Sequence, residues 1–114
     1  MDLQLQNQHV LISGGSKGIG LACAQAFLEE GARVSLVSRD KANLAAARQK
    51  LQARFAADRI HTVAADLRDA QAAVAALDSA QAAFGPVDVL VNSAGAAKRT
   101  PAPELTPEAW ADAM

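Results

Sequence analysis

Gly14, Gly18 and Gly20 stand between an apolar run, His9-Val10-Leu11-Ile12, and a helix-like segment from Leu21 to Glu30. A strand that turns into a helix through spaced glycines admits few folds, because the unpaired amides at the helix start need a polar or anionic partner. Gly14 lets the chain turn tightly, Gly18 lets the backbone approach a pyrophosphate, and Gly20 lets the first helical turn pack against the strand. A nucleotide-binding turn is the leading reading of Ser13-Gly14-Gly15-Ser16-Lys17-Gly18-Ile19-Gly20. This spacing arises by chance in roughly a few per cent of chains of this length, so a glycine turn with no ligand stays open until the other residues are weighed.

The rest of the chain repeats the strand-helix alternation. Apolar or β-branched runs at Val10 to Ile12, Arg33 to Val37, Ile60 to Ala64 and Val87 to Val91 alternate with helix-period stretches at Leu21 to Glu30, Lys41 to Ala57 and Ala70 to Phe84. The strands are short and apolar on both faces, as in a parallel sheet covered by crossover helices. The fold class is therefore α/β, a doubly wound parallel sheet of Rossmann type with strand order 3-2-1-4. Gly31 ends the first helix, Asp40 and Asp69 cap the next two, and Gly85-Pro86 stops the third. Thr106-Pro107-Glu108-Ala109-Trp110 carries the capping residue, proline and acid that start a fourth helix.

Composition excludes some partners. The net charge of -1 over 114 residues offers no basic field for nucleic acid, and no apolar stretch reaches the length of a membrane helix. Without a signal-peptide pattern at the amino terminus, the expected location is cytoplasmic. The single cysteine, Cys23, lies on the apolar side of the first helix with Phe27 and reads as core packing. His9 and His61 have no partners at metal-ligand spacing, so no metal is expected, and both read as structural or solvent-facing.

Three further constellations sit at strand ends. Val37-Ser38-Arg39-Asp40 follows the second strand, where such folds meet the adenosine ribose. A guanidinium and a hydroxyl complement a 2′-phosphate, so Arg39, Ser38 and Lys17 point to NADP over NAD; the other reading makes Asp40 the ribose acceptor. Asp66 follows the third strand and either accepts from an adenine amino group or serves as a turn acid. Asn92-Ser93-Ala94-Gly95 ends the fourth strand, where Ala94-Gly95 admits a ribose and the Asn92 amide ties strand ends together.

Together these residues resemble the short-chain dehydrogenase/reductase family. Ser13-Gly14-x-x-x-Gly18-Ile19-Gly20 matches its T-G-x-x-x-G-I-G motif, Asp66 its acid after the third strand, and Asn92-Ser93-Ala94-Gly95 its N-N-A-G motif, with serine replacing threonine at 13 and asparagine at 93. The resemblance implies that Gly14, Gly18 and the backbone near Ile19 hold the pyrophosphate, with Ser13, Ser16, Lys17 and Gly20 also in the cofactor site. It places Asp66 and Leu67 at the adenine, and Asn92, Ala94 and Gly95 at the ribose region. Members with arginine where Arg39 stands usually use NADP. The implied activity is hydride transfer between nicotinamide and a small carbonyl or alcohol substrate; a non-catalytic dinucleotide sensor is the alternative. Dimers or tetramers are expected by resemblance only.

Family catalysis rests on a tyrosine with a lysine four residues later, and this chain contains no tyrosine. Lys98 is not in that setting, and no catalytic residue is assigned. Residues 1–114 are thus expected to form the amino-terminal, cofactor-binding part of one domain whose catalytic half is absent. One face of strands 1 and 4 is then expected to be bare, exposing Val87, Val89 and Val91 and making the isolated chain unstable.

Overall fold

Strands β1 (His9–Ser13), β2 (Arg33–Ser38), β3 (Ile60–Ala64) and β4 (Val89–Asn92) form a parallel sheet in the order β3-β2-β1-β4. The computed structural model describes residues 5–14 and 18–93. Helices α1 (Gly18–Glu29), α2 (Lys41–Gln52) and α3 (Ala70–Phe84) make the connections. Parallel neighbours cannot be joined by a tight turn, so each helix crosses a face of the sheet. Ala24 and Leu28 of α1 and Leu44, Ala47 and Leu51 of α2 pack with Val10, Ile12, Val34 and Leu36 on one side. Ala73, Ala76, Leu77 and Ala80 of α3 pack with Leu11, Val37 and Leu90 on the other. This division is what right-handed crossovers require of that strand order.

The expectation of a bare face on β4 is corrected. Val87, Val89 and Val91 are only 1%, 6% and 4% exposed. Val89 and Val91 stand in register with Val10 and Ile12 and join the same cluster as α1, while Val87 and Leu90 join the cluster under α3. Exposure of these valines therefore gives no ground for instability, while β4 stands at the edge of the described sheet as expected.

Caps and glycines set most element ends where the sequence places them. Asp40 Oδ1 accepts from Asn43 N at 3.0 Å to cap α2, and Asp69 Oδ1 accepts from Gln71 N at 2.9 Å to cap α3. Removing the second cap by Asp69→Ala should cost about 1 kcal/mol, read as a lowered thermal midpoint. Helix α2 stops at Gln52 rather than Ala57. There Arg54 N and Phe55 N both turn back to Leu51 O, Phe55 packs on the core, and Ala57–Arg59 forms a 3-10 turn. Alanine propensity carries the sequence reading past that point, whereas tertiary contacts end the helix. Arg59 Nη2 then donates to the carbonyls of Leu28 and Ala32 at 2.6 and 2.8 Å, closing the end of α1.

The strands are not apolar throughout. His9 and Ser35 are fully buried, with His9 Nε2 2.7 Å from Ser35 Oγ and Nδ1 3.0 Å from the Gly85 carbonyl. Of the two readings of His9, the structural one holds. His61 is half-buried against Ser79 Oγ at 3.1 Å, and Cys23 packs at the margin of the core. Among the described residues no helix is long and apolar enough to cross a membrane.

Candidate functional site

Strand register gathers the sequence constellations at one edge. Ser13 pairs with Val37 on one side and Asn92 on the other, and Ser38 pairs with Ala64. The residues that follow each strand therefore emerge side by side at the carboxyl edge, where open α/β sheets place ligands.

The glycine turn leaves β1 at Gly14, whose φ of 68° few other residues adopt and whose N–H donates to Val37 O at 2.7 Å. It is fastened to the end of β4. Ser13 Oγ donates to Asn92 Oδ1 at 3.1 Å, while Ser93 Oγ lies 2.6 Å from Ser13 O and 2.9 Å from Gly14 O. Asn92 thus ties strand ends as its position suggests. The larger share of the tie comes from Ser93, which sequence reasoning treats only as a departure from a motif.

Gly18 opens α1 with φ of 62°, and a Cβ built there would meet nothing within 4 Å. The space beside it is open. Gly20 is buried in the first turn of α1, and that turn holds no acidic side chain to compete for its free amides. Ile19, beside Gly18, is 75% exposed. An open space at the positive end of a helix suits an anionic group. Ser16, Lys17, Ala94 and Gly95 lie outside the described residues, as do Lys98 and the expected helix start at Thr106.

At the ends of β2 and β3 the charges are arranged more specifically than the sequence suggests. Asp66 is a turn acid: its Oδ1 accepts from Arg68 N at 3.0 Å. Arg68 also grips the carboxylate through Nε at 3.1 Å and Nη2 at 3.0 Å. The Arg68 side chain and backbone, with Arg39 contributing further, hold the Asp66 carboxyl down to about 2. Leu67 sends its side chain into the cluster under α3. Arg39 is exposed, Ser38 Oγ accepts from Asp40 N at 3.3 Å, and Asp40 is committed to capping α2. Arg68 escapes sequence reading because nothing in Asp66-Leu67-Arg68 announces that an arginine two residues on turns back onto the acid.

The family model described as short chain dehydrogenase matches residues 8–114. D-threitol dehydrogenase of Mycolicibacterium smegmatis is 39% identical over 111 residues, which is 96% of this chain and 41% of that protein. The structure of L-sorbose reductase from Gluconobacter frateurii complexed with NADPH and L-sorbose aligns with a TM-score of 0.77 at 35% identity, over 97% of this chain and 42% of that one. That of 3-ketoacyl-(acyl-carrier-protein) reductase from Brucella melitensis complexed with NADH aligns at 0.68 and 34% identity, over 75% and 33%. The chain spans well under half the length of these relatives. A match from residue 8 to residue 114 that coincides with this strand order and glycine turn makes the chain a member of the short-chain dehydrogenase/reductase family.

Proposed function

We propose that this chain forms the dinucleotide-binding part of an NADP(H)-dependent oxidoreductase that interconverts small carbonyl and alcohol substrates. The observation that carries the reading is the open space beside Gly18 at the start of α1, on the same sheet edge as Arg39. Amides at the start of α1, around Gly18 and Ile19, together with Ser13, Gly14 and Ser16, would hold the pyrophosphate, with Gly20 keeping the helix close to the sheet. Ser38, Arg39 and Lys17 would meet the 2′-phosphate, Asp66 and Leu67 the adenine, and Asn92, Ala94 and Gly95 the ribose region.

Two features favour NADP over NAD. A guanidinium at position 39 complements a phosphate, and Asp40, the rival acid for a free ribose hydroxyl, already caps α2. The bound cofactor would supply or accept the hydride. The residues of this chain would orient it, and the exposed apolar side chain of Ile19 would be covered by it. In this reading the 114 residues are the amino-terminal part of a single domain, and the acid that protonates a carbonyl oxygen lies outside them, since they contain no tyrosine. The substrates named for the relatives, a four-carbon polyol and a ketose, support a carbonyl or alcohol substrate class. A cytoplasmic homodimer or homotetramer completes the reading.

Titration with NADPH and NADH tests it. NADPH should bind more tightly, and Arg39→Asp should move the ratio of dissociation constants at least tenfold toward NADH, roughly 1.4 kcal/mol. An unmoved ratio would hand control to Lys17 or Asp40. A folded protein that binds neither nucleotide would refute the function.

A further inference from the structure

The parallel pairing of β2 with β3 brings Ser38 opposite Ala64, and Ala65 N donates to Ser38 O at 2.9 Å. Arg39 and the segment Asp66-Leu67-Arg68 therefore leave neighbouring strands at the same height. Arg68 turns back onto Asp66 with two side-chain contacts of 3.1 and 3.0 Å, one to each carboxylate oxygen, and a third from its own N–H at 3.0 Å. Two parallel bonds to a carboxylate fix the plane of a guanidinium, and they use only two of its five N–H donors. The Arg68 side chain is 77% exposed and that of Asp66 42%. An ion pair that open to water adds little to folding, so stability alone does not account for so fully made a contact. Its effect is to hold a cation in place. Arg39, exposed on the adjoining strand end, forms no ion pair with Asp66 and adds only the smallest share of its field, so the two guanidinium groups and the one carboxylate together carry a net positive charge.

We propose that Arg68 is a specificity-determining residue that reads the 2′-phosphate of NADP(H) together with Arg39, and that Asp66 is the positioning residue that holds Arg68 for this task. The inference rests on the dinucleotide function proposed above. A phosphate monoester carries about −1.5 to −2 charge near neutral pH and three acceptor oxygens, more than one guanidinium satisfies. Two guanidinium groups at adjacent strand ends match that demand, whereas a free ribose hydroxyl gains nothing from the second.

The test uses the two adenosine halves as probes, with calorimetric titration of 2′,5′-ADP and 5′-AMP into wild type, Arg68→Gln, Arg39→Gln and the double variant. Arg68→Gln should weaken 2′,5′-ADP at least tenfold more than it weakens 5′-AMP, with a shallower salt dependence for 2′,5′-ADP. The double variant should bind the two probes alike. An unchanged melting temperature for Arg68→Gln establishes that the loss is not one of folding. Equal weakening of both probes, or of neither, with wild type binding normally, overturns the role of Arg68 alone. Wild type that binds neither probe overturns the dinucleotide function, and this inference with it.

Discussion

Gly18→Ala is expected to give a folded protein whose affinity for NADPH is weakened at least tenfold. Two separable effects meet at this position. The φ of 62° is left-handed, and an alanine there stores about 1–2 kcal/mol, which lowers the melting temperature by several degrees in a domain of this size. That is strain in the backbone and not a clash, because the added Cβ meets nothing within 4 Å. If the open space receives a pyrophosphate, the same methyl group stands where the ligand must come. Gly85→Ala supplies the control. Gly85 also has a positive φ, 82°, and also has nothing within 4 Å of a Cβ, but it ends α3 beside His9, at the opposite edge of the sheet. Thermal melts of both variants should fall, while NADPH titration should separate them, with Gly85→Ala binding as wild type does. Equal affinities in the two variants would make Gly18 a conformational residue only.

That contrast shows which parts of the molecule the sequence discloses. Strand order, helix sides and caps are legible because they follow from local pattern and chain geometry: α3 runs from Ala70 to Phe84 as its flanking Asp69 and Gly85-Pro86 indicate. Gly14 and Gly18 are legible as glycines that a turn requires, and both adopt positive φ. What stays hidden depends on pairs far apart in the chain. Ser93 lies 80 residues from the Ser13 carbonyl it binds, and no local signal reports that it grips the glycine turn. Arg68 is near Asp66 in sequence, yet whether an exposed arginine folds back or extends depends on side-chain geometry alone. The burial of Val89 and Val91 is missed for a related reason, because the side chains gathered with them, such as Ala24 and Leu28, lie more than 60 residues earlier in the chain. Period-2 apolar pattern marks a residue as wanting burial without naming what buries it.

His9 is the most consequential of these hidden residues, and the stability of the fold should fall as pH drops below about 6.5 largely because of it. The Gly85 carbonyl can only accept, so Nδ1 carries the proton and Nε2 accepts from the Ser35 hydroxyl. The imidazole is thus held neutral with both nitrogens used, edge-on to Phe84 at 5.3 Å. Burial is the main cause that lowers its pKa, helped by Arg33 on β2 and His61 on β3; the Gly85 carbonyl and Asp88 beside β4 act in the opposite sense and lose. Arg33 lies over the Phe84 ring at 5.3 Å, which places a permanent cation on the same aromatic group. Since the folded state resists a proton that the unfolded chain accepts, stability is complete above the unfolded value near 6.5. It then declines with falling pH, by up to about 1.4 kcal/mol per unit, until His9 protonates in place. His61 is lowered by burial as well, but it is half-exposed and contributes less. His9→Gln keeps a hydrogen-bonding side chain yet cannot ionise. At pH 8 it should be less stable by about 1–3 kcal/mol, through poorer pairing of Ser35 and Gly85. Urea midpoints at pH 5 and pH 8 decide the matter: wild type should lose more stability on acidification than the variant, which keeps only the smaller contribution of His61. Parallel losses in the two proteins would assign the acid sensitivity to carboxylates elsewhere and leave His9 a packing residue.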